Sequence, residues 1–424
     1  MENLEKLLKE FNEVSDYRIT TVTQESYELF FVHEKLETVR STETMDKNVT
    51  IYVDHKKYRG DSTFVITKSD NEASLREKIK SSIEKALLIN NKKYKLPSNE
   101  VNTYSLESNF GDYSMKNLGT NIYNILVECT SNKKATLNAS EIFLYKTFKH
   151  IVNSCGLDKT QTKYKAMIET IPTFDTKKDS VEIYTQLNFS NYDKKWIKNQ
   201  INEALKDVTK RSRAKKPNGE LKCNVLLRSS EIAQLVGAYV NNLNYQAVYN
   251  KSNSISLGSN IQENSQGDKL DVILHGQLKN SAYSEAFDAD GISLKKKQVI
   301  KDGIVINYYG ANRFAQYLHK KPTGSLNLIE VKKGTHSLKE FMKEPYLECA
   351  SFSGLQVDID NDYIGGEVRL AYYNDLNKIY PITGISISAK LSDVLKTIEF
   401  SNKVVTNSYY KVPQYALLKN VKIF

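Results

Sequence analysis

Cysteine is scarce in this 424-residue chain: Cys129, Cys155, Cys223 and Cys349 stand apart, with no CxxC pair among them. That spacing excludes a disulfide framework and a cysteine-based zinc site, and reads as buried free thiols. Proline and glycine are also few, 7 and 18, which rules out a collagenous or low-complexity chain. No apolar run approaches the roughly 20 residues a spanning helix needs; stretches such as Ile142–Leu144 stop after a few positions. The opening MENLEKLLKEF mixes charge into an amphipathic pattern, where a secretory signal would carry a basic start and a continuous apolar core. The expectation is a cytoplasmic protein that crosses no membrane. Arginine is rare as well: there are 9 arginines, and the net charge of +10 from 60 basic and 50 acidic residues is mostly lysine dispersed among Glu and Asp. Readers of phosphate and base edges favour arginine forks. The charge therefore argues for solubility, and a nucleic-acid partner is not expected.

What the chain does have is amphipathic periodicity. Leu4, Leu7, Leu8 and Phe11 recur at helical spacing and predict a helix over residues 3–13. From Tyr17 to Thr67 the period drops to two, in YRITTVTQ, SYELFFVH, NVTIYVDH and STFVIT, the pattern of an antiparallel meander. A helix capped within residues 69–71 and lined by Leu75, Ile79, Ile83, Ala86 and Leu87 closes this unit, with Pro97 as its stop. A second unit reads in the same order. A helix runs from a Ser140 cap through Phe143, Phe148, Ile151 and Val152 to Gly156, strands follow over 163–169 and 181–189, and Asp193 caps a helix with Ile197, Ile201, Ala204 and Leu205. Shared offsets make a duplicated α-β-α unit one reading, against the plainer one that any two amphipathic helices share them.

The basic stretch TKRSRAKKPNGELK, residues 209–222, is broken by Pro217, Asn218 and Gly219 and reads as a solvated linker. Beyond it come a strand over 224–227 and a helix capped by Ser229 or Ser230, with Ile232, Leu235, Val236, Tyr239, Val240 and Leu243 on its apolar side. The remainder is nearly all short strands, with Asp302-Gly303 as a two-residue hairpin turn. The expected fold class is α+β. Antiparallel strands flanked by amphipathic helices fill units over 1–97 and 98–212, a linker spans 213–220, and 221–424 holds a helix plus a large antiparallel sheet or partly closed barrel.

Motifs for chemistry are absent. A zinc hydrolase needs two imidazoles on one helical face beside a carboxylate, and the only His-Glu pair, His33-Glu34, lies in an alternating segment with Glu37 and Thr38 where a second ligand would stand. His33 reads as a strand residue. The other histidines, His55, His150, His275, His319 and His336, are far apart; His275, closing the apolar run LDVIL, is the one candidate for a site assembled by folding. Asp358, Asp360 and Asp362 resemble the start of an EF-hand loop, but Tyr363 and Arg369 replace its sixth-position glycine and twelfth-position acid, leaving a polar turn. SFSG around Ser353 lacks the first glycine of a nucleophile elbow, and no phosphate-cradling glycine motif occurs.

Three segments carry a resemblance: SSEIAQLVGAYVNNLNYQAVYNKSNSISLGSNI, FDADGISLKKKQVIKDGIVINYYGANRFAQYL and YPITGISISAKLSDVLKTIEF. Together they resemble the TldD/PmbA family of peptide-processing proteins, and the alternating strands through ETVRSTETMDKNVTIYVDHKKYRGDSTF resemble its first domain. In that family TldD-type chains bind zinc through HExxxH on the helix of the second half and a later cysteine, and TldE-type (PmbA) chains lack both. Laying LVGAYVNNLN over that helix puts Gly237 and Ala238 at the first His and the Glu, and Asn242 at the second His. Gly and Ala have no donor atom, and a neutral amide is a poor zinc ligand. The tail 402–424 has no cysteine, and Cys349 lies too far upstream to take a ligand role.

The resemblance implies a TldE-like subunit without catalytic, cofactor or metal residues of its own. Its expected partners are a zinc-bearing TldD-type HExxxH chain or a second copy of itself, as a hetero- or homodimer, and a peptide substrate. Two alternatives stand beside it: a stand-alone peptidase with a site built from distant residues such as His275, and a binding protein associated with peptides or, through the family's link to DNA gyrase, with nucleic acid.

Overall fold

The computed structural model describes residues 2–131, 133–177 and 179–424. Its first helix, α1 (Glu2–Lys9), is shorter than the predicted 3–13. The chain leaves it through a turn in which the Glu10 and Phe11 amides donate to Leu7 and Leu8 carbonyls at 3.2 and 3.4 Å. The meander follows as β1 (Asp16–Val32), β2 (Lys35–His55) and β3 (Tyr58–Ile66). Helix α2 (Glu72–Leu87) starts at a capping box: the Asn71 side chain accepts from the Ser74 amide, and the Ser74 side chain accepts from the Asn71 amide. It ends well before Pro97, and Leu87 faces solvent rather than the core. Helices α1 and α2 cover one face of the meander around Ile19, Val49, Ile51 and Ile79. At Gly60 a Cβ would stand 1.7 Å from the Ala86 carbonyl oxygen, so only glycine lets α2 lie this close to β3.

Two short strands, β4 (Asn91–Lys92) and β5 (Val101–Ser105), lead to α3 (Met115–Thr130), capped by Ser114. The second unit departs from expectation here. Residues 140–156 are not a helix: Ser140 lies within the long strand β6 (Ala135–Asn153), and its hydroxyl bonds that of Thr170 at 2.9 Å. Strand β7 (Asp158–Asp175), the short β8 (Ser180–Glu182) and β9 (Thr185–Phe189) follow, and α4 (Lys194–Arg211) starts where expected, with the Asp193 carboxylate accepting from the Trp196 amide. The order helix, strands, helix does occur twice, with α3 opening the second unit. Both units share one nine-stranded sheet of order β4-β3-β2-β1-β6-β7-β5, with β8 and β9 also on β7. β1 and β6 pair antiparallel through its middle, and α3 and α4 cover the β6–β7–β9 part around Ile142, Ile168 and Phe189.

Residues 212–223 hold only a bridge of Lys215 with Ile382 before β10 (Asn224–Arg228) and α5 (Ser229–Asn242). Next come β11 (Val272–His275), β12 (Lys297–Lys301), β13 (Ile304–Val305) and β14 (Leu328–Val331). After them run β15 (Tyr346–Asp358), β16 (Tyr363–Asn374), β17 (Ile379–Ile382) and β18 (Ile385–Lys390). The chain closes through β19 (Glu399–Phe400), β20 (Val404–Asn407), β21 (Tyr410–Pro413), β22 (Tyr415–Leu418) and β23 (Lys422–Ile423). The β12–β13 hairpin turns at Asp302 and Gly303, with φ of 50° and 78°, as a two-residue turn of this type requires. The strands form two sheets: β19-β22-β10-β15-β16-β18-β23, with β17 on β16, and β13-β12-β11-β14-β21-β20. Most pairs are antiparallel, while β10–β15 and β14–β21 are parallel. The fold is α+β, and α5 packs into one core with both C-terminal sheets through Ile232, Leu235, Val236 and Tyr239. No helix among the described residues is long and apolar enough to cross a membrane.

The two halves meet through buried polar contacts. Lys159 is fully buried; its ammonium donates to the Gly291 carbonyl at 2.7 Å and Ser293 Oγ at 2.8 Å and pairs with Glu100. Arg18 pairs with Asp290 at 2.6 Å, and Arg228 binds Asp207 and Glu348, each at 2.8 Å.

Candidate functional site

Helix α5 buries one stripe and leaves Gln234, Gly237, Ala238 and Asn241 on the other. These four form one wall of a cavity of about 390 Å³. Opposite them stand Tyr309, Ile329, Val357 and Tyr409, with Asn327 beside Ile329. The helix start differs from the sequence reading: Arg228 is the N-cap residue without a side-chain cap, and Ser229 is the first helical residue. The Arg228 guanidinium, committed to Asp207 and Glu348, pins that end of α5 to its surroundings.

Gly237 is explained by the cavity rather than by packing. A Cβ there would meet only Ile329 Cδ1, at 3.8 Å, an ordinary contact. Glycine inside a helix costs about 1 kcal/mol relative to alanine, so at this position a destabilising residue keeps the wall flat. Ala238 adds only a methyl group. Asn242 does not line the cavity; it sits at the end of α5, where its Oδ1 accepts from the Ser254 amide at 2.6 Å. These three residues do not fit a zinc ion: two have no donor atom, and the third has its carbonyl oxygen engaged.

The cavity's polar groups are neutral. Gln234 Nε2 donates to the Leu355 carbonyl at 2.5 Å, which fixes its amide. Burial pushes the phenols of Tyr309 and Tyr409 above their usual range, so neither supplies a base at neutral pH. Glu231, one turn before Gln234, carries a carboxyl that burial pushes up despite a 2.8 Å hydrogen bond from Ser230. Sequence reasoning missed Gln234, Asn241, Tyr309 and Tyr409. The helical offsets from Gly237 point to the first two, whereas no local signal marks the tyrosines.

The histidines remain dispersed. His33 and Glu34 are not strand residues: with φ of 46° and 65° they are the two-residue turn between β1 and β2. His55 bonds the Ile89 carbonyl, His150 contacts Asp158 at 2.7 Å, His319 lies in an exposed turn, and His336 reaches Glu399 only at 4.0 Å. His275 contacts Glu330 at 2.7 Å, and Lys411 holds the other carboxylate oxygen at 2.6 Å. Burial would raise the Glu330 carboxyl, but the hydrogen bonds from Lys411 and His275 hold it below its usual range. Asp358 closes β15, and Asp360 and Asp362 lie in the β15–β16 turn, where Asp362 accepts from the amide and hydroxyl of Ser392, each at 2.7 Å. Among the described residues no three His, Cys, Asp or Glu side chains converge as metal ligands. Cys349 is buried, which pushes its thiol well up.

Residues 220–423 match the family model of the PmbA/TldA metallopeptidase C-terminal domain. No curated protein matches the sequence. Among solved structures the chain is similar to TldE from Thermococcus kodakarensis, at 15% identity and a TM-score of 0.81, covering 100% of this chain and 99% of that one. It is similar as well to a protein described as a modulator of DNA gyrase from Thermotoga maritima, at 14% identity and TM-score 0.78, with both chains covered in full (100%). A similarly described protein from Bacteroides thetaiotaomicron aligns at 14% identity and TM-score 0.80, over 100% of this chain and 97% of that one.

Proposed function

Since the chain belongs to the TldD/PmbA family, we propose that it is a TldE-type subunit that brings no metal chemistry of its own and works beside a zinc-bearing, HExxxH-containing TldD-type chain on peptides. One observation carries this reading. At the helix positions where the family's zinc chains hold a His and a Glu, this chain presents Gly237 and Ala238 to an open cavity, and the third position, Asn242, is spent on the Ser254 amide.

The cavity supports a peptide-handling role. Walls that mix apolar side chains with neutral amides and phenols suit a side chain of an extended peptide, and without a charge or base in its lining the pocket can hold that side chain but not activate water. The decisive experiment is an affinity pull-down of the tagged protein from its native lysate, with mass spectrometry of bound chains and zinc analysis of the eluate. One HExxxH partner carrying all the zinc is the expected result. Stoichiometric zinc in the purified chain itself, lost on replacing any of its histidines, would overturn the reading. Recovery of the bait alone as a metal-free dimer would replace the heteromer with a homomer.

A further inference from the structure

Strand β2 outruns one of its two neighbours. β1 accompanies it from Lys35 to Tyr52, whereas β3 joins its other side only from Lys47, opposite Ile66. Residues 35–46 are exposed, and among the described residues no backbone group pairs with their outer side. The pairing with β1 runs without a break from Thr38 onward, its one irregularity lying between Leu36 and Thr38. Thr38–Asp46 is therefore an open, regular edge of nine residues, about 30 Å long.

Alternation decides which groups this edge offers. The Tyr52 carbonyl accepts from the Ser15 amide at 2.9 Å, and the Asp54 amide donates to Ser15 Oγ at 2.8 Å, so even-numbered residues of β2 turn their backbone toward β1. The odd-numbered Val39, Ser41, Glu43 and Met45 turn theirs outward, amides and carbonyls in one line. Sheet edges are ordinarily blunted by lysine, proline or a bulge. The segment TVRSTETMD has neither lysine nor proline, and its one arginine, Arg40, is held by Glu28 across the strand pair. Val39 and Met45, 46% and 52% exposed, flank the line on the face they share with Leu29.

The ends of the edge select its occupant. A second copy using its own Thr38–Asp46 pairs about Thr42, which sets Glu37 opposite Lys47 of the copy, a place that Ile66 of that copy already fills. A copy slid clear of Ile66 either opposes Arg40 to Arg40 or keeps only residues 38–40 in regular pairing. An extended peptide with free ends meets neither conflict, and its backbone supplies the acceptors and donors that the edge lacks.

We propose that Thr38–Asp46 of β2 takes an extended peptide segment as an added strand, held by the outward backbone groups of Val39, Ser41, Glu43 and Met45, with apolar side chains lying beside Val39 and Met45. The proposal rests on the peptide-handling reading above and gives that reading a backbone-recognition surface on the N-terminal sheet.

The test follows amide hydrogen exchange in the full-length chain with and without a capped, fluorescently labelled heptapeptide, Val-Thr-Lys-Thr-Ser-Thr-Val. Exchange at Val39, Ser41, Glu43 and Met45 is expected to slow about tenfold or more on binding, the size of one or two backbone hydrogen bonds. Ser41→Pro removes one outward N–H at an edge position where proline is tolerated, and is expected to weaken peptide binding about tenfold. Ser41→Ala, which loses only the hydroxyl bond to the Ser26 carbonyl, is expected to bind as the unaltered chain does. Bound peptide without slower exchange at these four amides would overturn the added strand while leaving peptide handling intact, and that measurement holds even if the proline variant fails to fold. Undiminished binding by Ser41→Pro would overturn it too, as would slowing of the same amides by the TldD-type partner alone, which would make the edge a subunit contact. No binding of the peptide, by the chain alone or with that partner, would count against the added strand and the peptide reading together.

Discussion

Single residues set what the cavity and the open sheet face can do. Gly237 keeps a wall flat at the expense of helix stability, so Gly237→Ala is expected to raise stability by about 1 kcal/mol, measurable as a higher urea midpoint. Gly237→Phe is expected to fill the space beside Ile329 and to weaken peptide binding. The clash-free 3.8 Å approach makes the alanine outcome a sharp one, since a loss of stability would mean that packing requires the glycine. Glu141 yields a prediction whose sign follows from its raised carboxyl. The native state holds that proton more tightly than the unfolded state, so in the window above the ordinary carboxylate range stability falls as pH rises. Glu141→Gln is therefore expected to raise Tm at neutral pH and to give no gain below about pH 4, where the carboxyl is protonated in both states.

At the scale of elements, the caps and close approaches control which pieces form. Asn71→Ala removes one side of the α2 capping box and is expected to cost about 1 kcal/mol. Gly60→Ala drives a Cβ into the Ala86 carbonyl and is expected to cost about 3 kcal/mol through the α2–β3 contact; equilibrium denaturation ranks the two. Elements with one buried face were legible in the sequence. The meander alternates because α1 and α2 cover one side of it, Asp193 caps α4, and Asp302-Gly303 turns its hairpin. Strand β6 was not legible, because both its faces are covered over part of its length. Ile151 and Val152 are both buried, one against Leu157 and Phe287 and the other under the α1–α2 core, so alternation vanishes and helical offsets arise by coincidence. Helix α3 did carry a readable signal, with Ser114 as cap and Leu118, Ile122, Ile125, Leu126 and Cys129 at helical spacing.

For the whole molecule, the relation of the two halves rests on a few buried polar contacts. Lys159 is the central one: fully buried, it reaches from β7 to Gly291 and Ser293 of the C-terminal half. Lys159→Ala is expected to cost about 3 kcal/mol, with faster proteolysis in the segment around Asp288–Ser293 as the local readout. Arg18–Asp290 and Arg228–Asp207 tie the same halves at separate points, so a single loss is expected to loosen the junction without unfolding either sheet.

The sequence by itself determined the α+β class, the meander, the Asp302-Gly303 hairpin turn, and the absence of a donor at Gly237 and Ala238, because each depends on residue identity or on a period that one buried face imposes. Only tertiary structure decided that Tyr309 and Tyr409 meet α5 across a cavity, that Asn242 serves Ser254, and that Glu141 faces Glu169 across β6 and β7. Those facts depend on strand register and on contacts between residues far apart along the chain, which no local pattern encodes.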